Sequence, residues 1–288
     1  MRMTDFAVLY RFHRADALSL NRLKRLISMN PDVIFIPCYG VQQFLYIPLV
    51  HSFRGWKYRT NVNKLALASP QIFRLSKAIN EKLGKFIGRS IIANLDSTLG
   101  KSGLRLYCDF TPMQYGLNAD LAILEWYDSV GRTLPFDHLV YCEYDEYMTK
   151  TIQSTYGRYA QFDAGFVDYE KATSDWFWFK NPPGARRLTL RWLITRGLEP
   201  VLYRSLLAGS LISKNALEAL VSLEDLPYCQ SEMRLPTVLT ALGFKCAKLD
   251  FPMVRYRPPI TRDEIHKEFE AGIFHPVYSL TEESRSPV

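Results

Sequence analysis

Long apolar runs and a helical stripe alternate over the first 40 residues. Residues 6–12 (FAVLYRF) are nearly all apolar, and residues 31–40 (PDVIFIPCYG) contain a second such run. Apolar residues between the two runs recur at the spacing of one helix face: Leu20, Leu23, Leu26 and Ile27. Continuous apolar runs are typical of strands buried on both faces. The pattern therefore predicts a strand, a helix and a parallel second strand.

The same alternation continues further along the chain. Helical spacing over residues 72–86 predicts a helix, and residues 104–110 (LRLYCDF) predict a strand. A leucine stripe over residues 116–131 predicts another helix, which leads into the strand-like run at residues 138–142 (HLVYC). Alternating strands and helices predict an α/β fold with a mostly parallel sheet flanked by helices. After residue 151 the pattern is aromatic and predicts a more irregular C-terminal region.

Length and composition narrow the class of protein. A chain of 288 residues with 48% hydrophobic side chains can bury a substantial core. It contains no apolar run of the roughly 18 residues that a membrane-spanning helix needs, and its start lacks the layout of a secretion signal. These features predict a cytoplasmic protein. The five cysteines form no C-x-x-C pair, so the spacing indicates neither a disulfide framework nor a zinc site.

The charge balance favours anionic partners. The net charge is +7, which suits a nucleic acid, a membrane lipid or a phosphate-bearing small molecule. The basic residues are dispersed and no standard nucleic-acid-binding motif occurs, so we expect no nucleic-acid partner.

Three acids stand within four positions at the end of a predicted strand. Glu143, Asp145 and Glu146 follow the apolar run at residues 138–142. Carboxylates this close repel one another, so the cluster needs solvent, basic partners or a bound cation. Ligands of parallel sheets bind beyond the carboxyl ends of the strands, and the acids occupy such an end. A functional role is therefore favoured over an ordinary surface loop.

Glu143-Tyr144-Asp145 after an apolar strand resembles the acidic DXD motif of GT-A fold glycosyltransferases, in an E-x-D form. The resemblance implies a GT-A-like fold in which Glu143 and Asp145 hold Mn²⁺ or Mg²⁺. That cation would bridge the diphosphate of a nucleotide-sugar donor. His275, within residues 273–277 (IFHPV), resembles the late histidine that completes metal or diphosphate binding in many members. The resemblance further implies a nucleotide-sugar-binding half at residues 1–150 and an acceptor-binding half at residues 151–288 of a single domain.

Residues 228–250 are similar to the segment in which the family places an acid at a helix start. Glu232 maps to that acid and is the predicted catalytic residue, with Ser231 as the helix cap and Gly243 as the helix end. The alternative for Glu232 is a purely electrostatic partner of the helix dipole. Many inverting members have a second acid next, where this chain has Met233, so the identity of the general base stays open.

Several residues are candidates for contacting the donor. Arg11, His13 and Arg14 lie at the end of the first predicted strand, where the family receives the nucleotide, and arginine can clamp phosphate. The alternative is a solvated basic loop. Asn118 and Asp120 open the helix before the acidic strand, a region that often touches the donor in the family. Ordinary helix capping also explains them.

The resemblance implies a saccharide or glycolipid acceptor. Aromatic residues that could stack on a sugar ring are Tyr156, Tyr159, Phe162, Phe166, Trp176 and Trp178, and core packing explains them equally well. A basic, apolar segment at residues 184–197 carries Arg186, Arg187, Arg191 and Arg196. It could make peripheral contact with a membrane at the cytoplasmic face, although a solvated helix face also fits.

Two alternatives to a glycosyltransferase remain. A nucleotidyltransferase also uses acids and a metal, but residues 11–20 (RFHRADALSL) lack the glycine-rich loop usual after the first strand of such enzymes. A non-catalytic module that binds carbohydrate or nucleic acid is the other alternative.

Overall fold

The structure, a computed structural model, describes residues 4–12, 16–40, 50–53, 56–59, 104, 107–109, 119–179, 184–227 and 229–278. The strands are β1 (Thr4–Phe12), β2 (Ile34–Gly40), β3 (Val50–Phe53), β4 (Trp56–Arg59), β5 (Tyr107–Asp109), β6 (Phe136–Glu143), β7 (Tyr147–Met148), β8 (Ala164–Lys171), β9 (Tyr203–Ser213), β10 (Cys246–Lys248) and β11 (Ile273–Phe274). The α-helices are α1 (Ala17–Met29), α2 (Ala119–Ser129), α3 (Ile152–Tyr156), α4 (Ala185–Thr195), α5 (Lys214–Ser222), α6 (Ser231–Ala241) and α7 (Arg262–Lys267). Short 3-10 turns occur at Gly131–Thr133, Gly157–Tyr159, Phe177–Phe179 and Phe269–Ala271.

Seven strands form the central sheet, in the order β10-β8-β9-β6-β1-β2-β5. β1 pairs in parallel with β2 and β6, β2 with β5, and β8 with β10. β9 runs antiparallel to both of its neighbours, β6 and β8. The predicted α/β fold with a mostly parallel sheet is confirmed, whereas the reversed strand was not predicted.

The strand order reverses between β1 and β6. From β1 the chain adds β2 and then β5 on one side, and it returns to place β6 on the other side of β1. In open α/β sheets, the crevice at such a reversal, beyond the carboxyl ends of the two strands, is where ligands bind. The carboxyl ends of β1 and β6 carry Arg11 and Glu143, which are register partners.

The continuous apolar run in β1 results from burial on both faces of the sheet. Ala7 and Leu9 pack in a core cluster with residues of α2, α5 and α6, whereas Val8 and Tyr10 pack with residues of α1. Side chains alternate between the two faces of a strand, so both sets of positions must be apolar.

The C-terminal half completes the same sheet. Residues 151–278 supply β8, β9 and β10, so the expectation of a more irregular region there is wrong for these three strands. The two predicted halves at residues 1–150 and 151–288 thus share one sheet. Their assignment to donor and acceptor stays a prediction. In the part of the chain that the structure describes, every helix is too short or too polar to cross a membrane.

Most other predicted elements agree with the structure. β1, α1 and β2 have the predicted order, β5 falls within predicted strand 104–110, and the predicted helix at residues 72–86 lies outside the described residues.

One helix cap differs from the prediction. The cap of α6 is Gln230 rather than Ser231, because the Gln230 side chain accepts a hydrogen bond from the backbone N–H of Glu232 at 2.8 Å.

Gly243 ends α6 as predicted. Its φ is +83°, and the backbone N–H groups of Gly243 and Phe244 bond back to the carbonyls of Thr240 and Leu239. Glycine adopts this left-handed conformation without a steric penalty, which explains its position after the helix.

Candidate functional site

The ends of β1 and β6 place a basic and an acidic side chain on the same face of the sheet. Arg11 continues the face of Ala7 and Leu9, and Glu143 continues the face of Leu139 and Tyr141. Arg11 Nη1 donates to the Tyr141 hydroxyl at 3.4 Å, and this hydroxyl donates to Glu143 Oε1 at 3.0 Å. The tyrosine thus bridges the guanidinium and the carboxylate.

A two-stranded ladder brings the C-terminal segment to the acidic motif. Asp145 lies in the turn after β6, where the Glu146 N–H donates to the Glu143 carbonyl at 3.0 Å. β7 follows this turn and pairs antiparallel with β11, which directly precedes His275. The Val277 N–H also donates to the Asp145 carbonyl at 2.8 Å. His275 therefore reaches the acids from the far end of the chain.

Three side chains form a candidate metal centre. One ligand atom from each of Glu143, Asp145 and His275 lies within 4.8 Å of the others. His275 Nε2 is 3.7 Å from Glu143 Oε2 and 3.5 Å from Asp145 Oδ1. Within the described chain, Asp145 Oδ1 is buried and receives no hydrogen bond. Two carboxylates and an imidazole, one carboxylate oxygen of which lacks a hydrogen-bond donor, form a donor set that fits a divalent ion.

The second nitrogen of His275 is fixed by the backbone. Nδ1 is 3.1 Å from the Arg255 carbonyl, and a carbonyl oxygen can only accept. Nδ1 therefore carries a proton, and Nε2 faces the two carboxylates. A backbone carbonyl behind a histidine is the usual outer partner of a metal-ligating imidazole. Two carboxylates with one imidazole suit Mn²⁺, and Mg²⁺ less well because it prefers oxygen ligands.

The acids and the imidazole shift one another's pKa values. Burial raises the pKa of Asp145, and the neighbouring charge of Glu143 raises it further. Burial also raises the pKa of Glu143, but contact with His275 and Arg11 outweighs this effect and lowers it overall. Burial lowers the pKa of His275, yet Glu143 and Asp145 raise it to about 9. Protonated His275 is therefore the counter-charge of the acids, and a divalent cation would replace its Nε2 proton.

Glu146, the third acid of the cluster, has a structural role. Its Oε1 accepts from the N–H of Glu143 at 2.8 Å and from the N–H of Gly209 at 3.0 Å, which ties the end of β6 to β9. Burial raises its pKa to about 8. The acid cluster thus divides into two residues that face the cavity and one that supports them.

A cavity of about 350 Å³ opens in front of the candidate metal centre. It is lined by Arg11, Phe12, Tyr141, Glu143, Tyr144, Asp145, Trp178, Leu206, Leu207, Ala208, Glu232, Tyr256, Arg257, His275, Pro276 and Tyr278. Glu232 lies in the first turn of α6 and is one of these lining residues. Burial raises its pKa to about 8, with a further contribution from Glu143. Met233, at the position where a second acid was considered, is fully buried. Glu232 is therefore the side chain of α6 that lines the cavity.

Five predicted site residues therefore converge on one cavity. They are Arg11, Glu143, Asp145, Glu232 and His275. Three predicted donor-binding residues, His13, Arg14 and Asn118, lie outside the described residues.

The prediction that Asp120 contacts the donor is wrong. Asp120 is fully buried, and both of its carboxylate oxygens are 2.8 Å from Nη1 of Arg234. Because an arginine of α6 occupies both oxygens inside the core, Asp120 does not line the cavity. The first turn of α2 is thus tied to α6.

Sequence patterns missed most of the cavity rim. Tyr256, Arg257 and Tyr278 line the cavity but belong to irregular segments with no recognisable spacing. Among the six aromatic residues considered for a sugar platform, Trp178 lines the cavity. The other five pack in or against the core: Tyr156, Tyr159, Phe162, Phe166 and Trp176.

Arg22 is a further residue that the sequence pattern missed. It is buried, and its Nη1 donates to the carbonyls of Tyr144 at 3.1 Å and Val277 at 2.7 Å. It thereby joins the acidic turn to the segment that carries His275. An arginine next to Leu23 on the apolar face of the predicted helix was the available signal.

No protein-family model matches this sequence, and no curated protein is significantly similar to it. Functional inference therefore relies on the geometry of the cavity.

Proposed function

We propose that the chain is a divalent-metal-dependent glycosyltransferase with a GT-A-like fold. It would transfer a sugar from a nucleotide-diphosphate donor to a saccharide or glycolipid acceptor. One observation carries the proposal: Glu143, Asp145 and His275 converge with Arg11 and Glu232 in one cavity where the strand order reverses. Metal ligands, a phosphate-binding cation and a candidate base are the groups that this transfer requires.

The metal centre would serve the leaving group. Glu143, Asp145 and His275 would hold Mn²⁺ or Mg²⁺, and the bound cation supplies positive charge that neutralises the departing nucleoside diphosphate. Arg11 lies beside Glu143 at the end of β1 and lines the same cavity. Its guanidinium would bind and orient a phosphate oxygen of the donor.

Glu232 is the candidate general base of the transfer. Its carboxylate would accept the proton of the acceptor hydroxyl as the hydroxyl oxygen forms a bond to the anomeric carbon of the donor sugar. The bond between that carbon and the diphosphate breaks, and the electron pair leaves with the diphosphate. The rim side chains Trp178, Tyr256 and Tyr278 present ring faces on which the acceptor sugar could stack.

Nucleotide binding should depend on metal. We expect calorimetric titration with nucleoside diphosphates to give binding heat in the presence of Mn²⁺ and little heat in its absence, because carboxylates without a cation repel phosphate. Indifference to every nucleotide and nucleotide sugar, with or without Mn²⁺, would overturn the proposal in favour of a non-catalytic module. Turnover of a nucleoside triphosphate with release of pyrophosphate would instead indicate a nucleotidyltransferase.

The transfer rate should rise with pH while Glu232 loses its proton. Burial and Glu143 raise the pKa of Glu232 to about 8, and only the carboxylate form can accept a proton. We therefore expect the rate to increase up to tenfold per pH unit below this pKa, which a bound cation would shift downwards. Glu232→Gln should reduce the rate by about 10²- to 10⁴-fold and abolish this slope.

Nucleotide binding provides the control for Glu232→Gln, because the variant keeps the metal ligands intact. Unchanged Mn²⁺-dependent binding with a lost rate assigns the effect to the base. A variant that keeps both the full rate and the pH slope would remove Glu232 from this role.

A further inference from the structure

Helix α4 presents basic and apolar side chains to solvent. Ala185, Thr189, Trp192 and Leu193 are buried and anchor one side of the helix to the protein. On the other side, Arg187, Arg191 and Ile194 follow one another at helical spacing, and Ile194 is 61% exposed. A large exposed apolar side chain beside arginines is typical of helices that lie in a membrane interface.

A shallow open groove of about 450 Å³ runs along this side of α4 and is lined by Arg186, Arg187, Leu190, Arg191 and Ile194. Within the described residues, none of these three arginines forms an ion pair with a carboxylate. Arg196, by contrast, pairs with Asp225 and stacks on Trp192, so its charge is already balanced. Among the described residues, the groove therefore carries three positive charges that no carboxylate balances.

The groove adjoins the mouth of the cavity. The Arg186 guanidinium lies 4.7 Å from the ring centre of Phe179, at the end of the Phe177–Phe179 turn. In the same turn, Trp178 lines the cavity, and the Phe177 ring is 4.7 Å from the Trp178 ring and 65% exposed. Exposed apolar groups thus continue from α4 towards the cavity.

We propose that the basic face, defined as Phe177 and the five groove residues, docks on an anionic lipid bilayer. The arginines complement phosphate-bearing headgroups, while Phe177 and Ile194 can enter the boundary of the acyl chains. The exposed Ile194 side chain favours this partner over a nucleic acid, whose backbone offers it no apolar surface. The docking does not depend on the proposed catalytic activity.

Sedimentation with vesicles tests the proposal on the full chain. We expect the protein to bind vesicles that contain phosphatidylglycerol, to bind neutral phosphatidylcholine vesicles weakly, and to dissociate from anionic ones as salt increases. Each arginine near an anionic surface contributes about fivefold in affinity, so Arg187→Ala with Arg191→Ala should weaken binding about 25-fold. Ile194→Ser should weaken it further without changing its salt dependence.

A double variant with the same loss of charge is the matched control. Lys24 and Lys267 are exposed on α1 and α7, and replacing both by Ala should leave vesicle binding within about twofold of the wild type. An equal loss in the control would show general electrostatic attraction and overturn the proposal. Failure of the wild type to bind anionic vesicles would also overturn it, as would binding of the face to single-stranded nucleic acid alone.

Discussion

Asp145→Asn should abolish Mn²⁺ binding at the candidate metal centre. Asp145 Oδ1 faces His275 Nε2 at 3.5 Å and is buried without a hydrogen-bond donor, so the amide would replace a charged ligand by a neutral one. Loss of an outer partner of a ligand already costs about 10- to 100-fold in metal affinity, so we expect loss of the ligand itself to exceed about 100-fold. Mn²⁺-dependent nucleotide binding and sugar transfer should be lost with it.

The fold should survive Asp145→Asn. Burial and the charge of Glu143 raise the pKa of Asp145, which means that its ionised form is disfavoured in the folded protein without metal. Removing the charge should therefore leave the melting temperature of the metal-free protein unchanged or slightly higher. An unchanged melting temperature of the metal-free variant therefore shows that Mn²⁺ binding is lost with the ligand and not through misfolding.

Asp137→Asn is the matched control on the same strand. Asp137 is exposed near the start of β6, far along the strand from Glu143, and does not line the cavity. We expect the Mn²⁺ affinity of the Asp137→Asn variant, measured by calorimetry, to equal that of the wild type. Full Mn²⁺ affinity in Asp145→Asn would remove the metal centre and, with it, the main support for the proposed function.

Asp120→Asn should lower the free energy of unfolding more than any of the other single substitutions proposed here. Asp120 and Arg234 are 0% and 2% exposed. Burial raises the pKa of Asp120, as it does that of Asp145, but the Arg234 guanidinium opposes this shift through contacts of 2.8 Å to both carboxylate oxygens. Neutralising the aspartate therefore leaves a buried guanidinium without its counter-charge. Breaking a buried pair in this way costs about 3–5 kcal/mol. Urea unfolding should show a lower midpoint with an unchanged slope.

The neighbouring Asp128→Asn variant on α2 provides the comparison. Asp128 is also in an ion pair, with Arg132 at 3.2 Å, but that pair is partly exposed. Exposed pairs contribute about 1 kcal/mol or less, so this variant should unfold close to the wild type. Equal effects of the two variants would contradict the importance of burial at Asp120.

A second variant tests whether the cost comes from the unpaired charge. Asp120→Leu combined with Arg234→Met removes both charges and should be more stable than Asp120→Asn. The recovery should be partial, because Arg234 also donates to the carbonyls of Pro227 and Cys229 just before α6. These bonds hold the start of the helix that carries Glu232, so the pair positions the candidate base from inside the core.

Local patterns were sufficient to predict the first strand, the first helix and the second strand. β1, α1 and β2 each have a hydrophobic period that extends over several residues, and that period reports how the element is buried. The acids at the end of β6 were also recognisable from the local sequence, because charged residues that directly follow a buried strand stand out. Ligand atoms of Glu143, Asp145 and His275 lie within 4.8 Å of one another, and the metal that they were predicted to hold stays a prediction.

The sequence by itself indicated the alternating elements up to β6 and the mostly parallel character of the sheet, and a family resemblance pointed to five residues that line the cavity. Only the tertiary structure decided that β9 enters the sheet in reverse, that Asp120 pairs with Arg234, and that Tyr256 and Tyr278 form the rim. The physical reason is that these features depend on contacts between segments far apart in the chain. Hydrophobic periodicity reports whether a side chain is buried, but it does not report which distant side chain it meets.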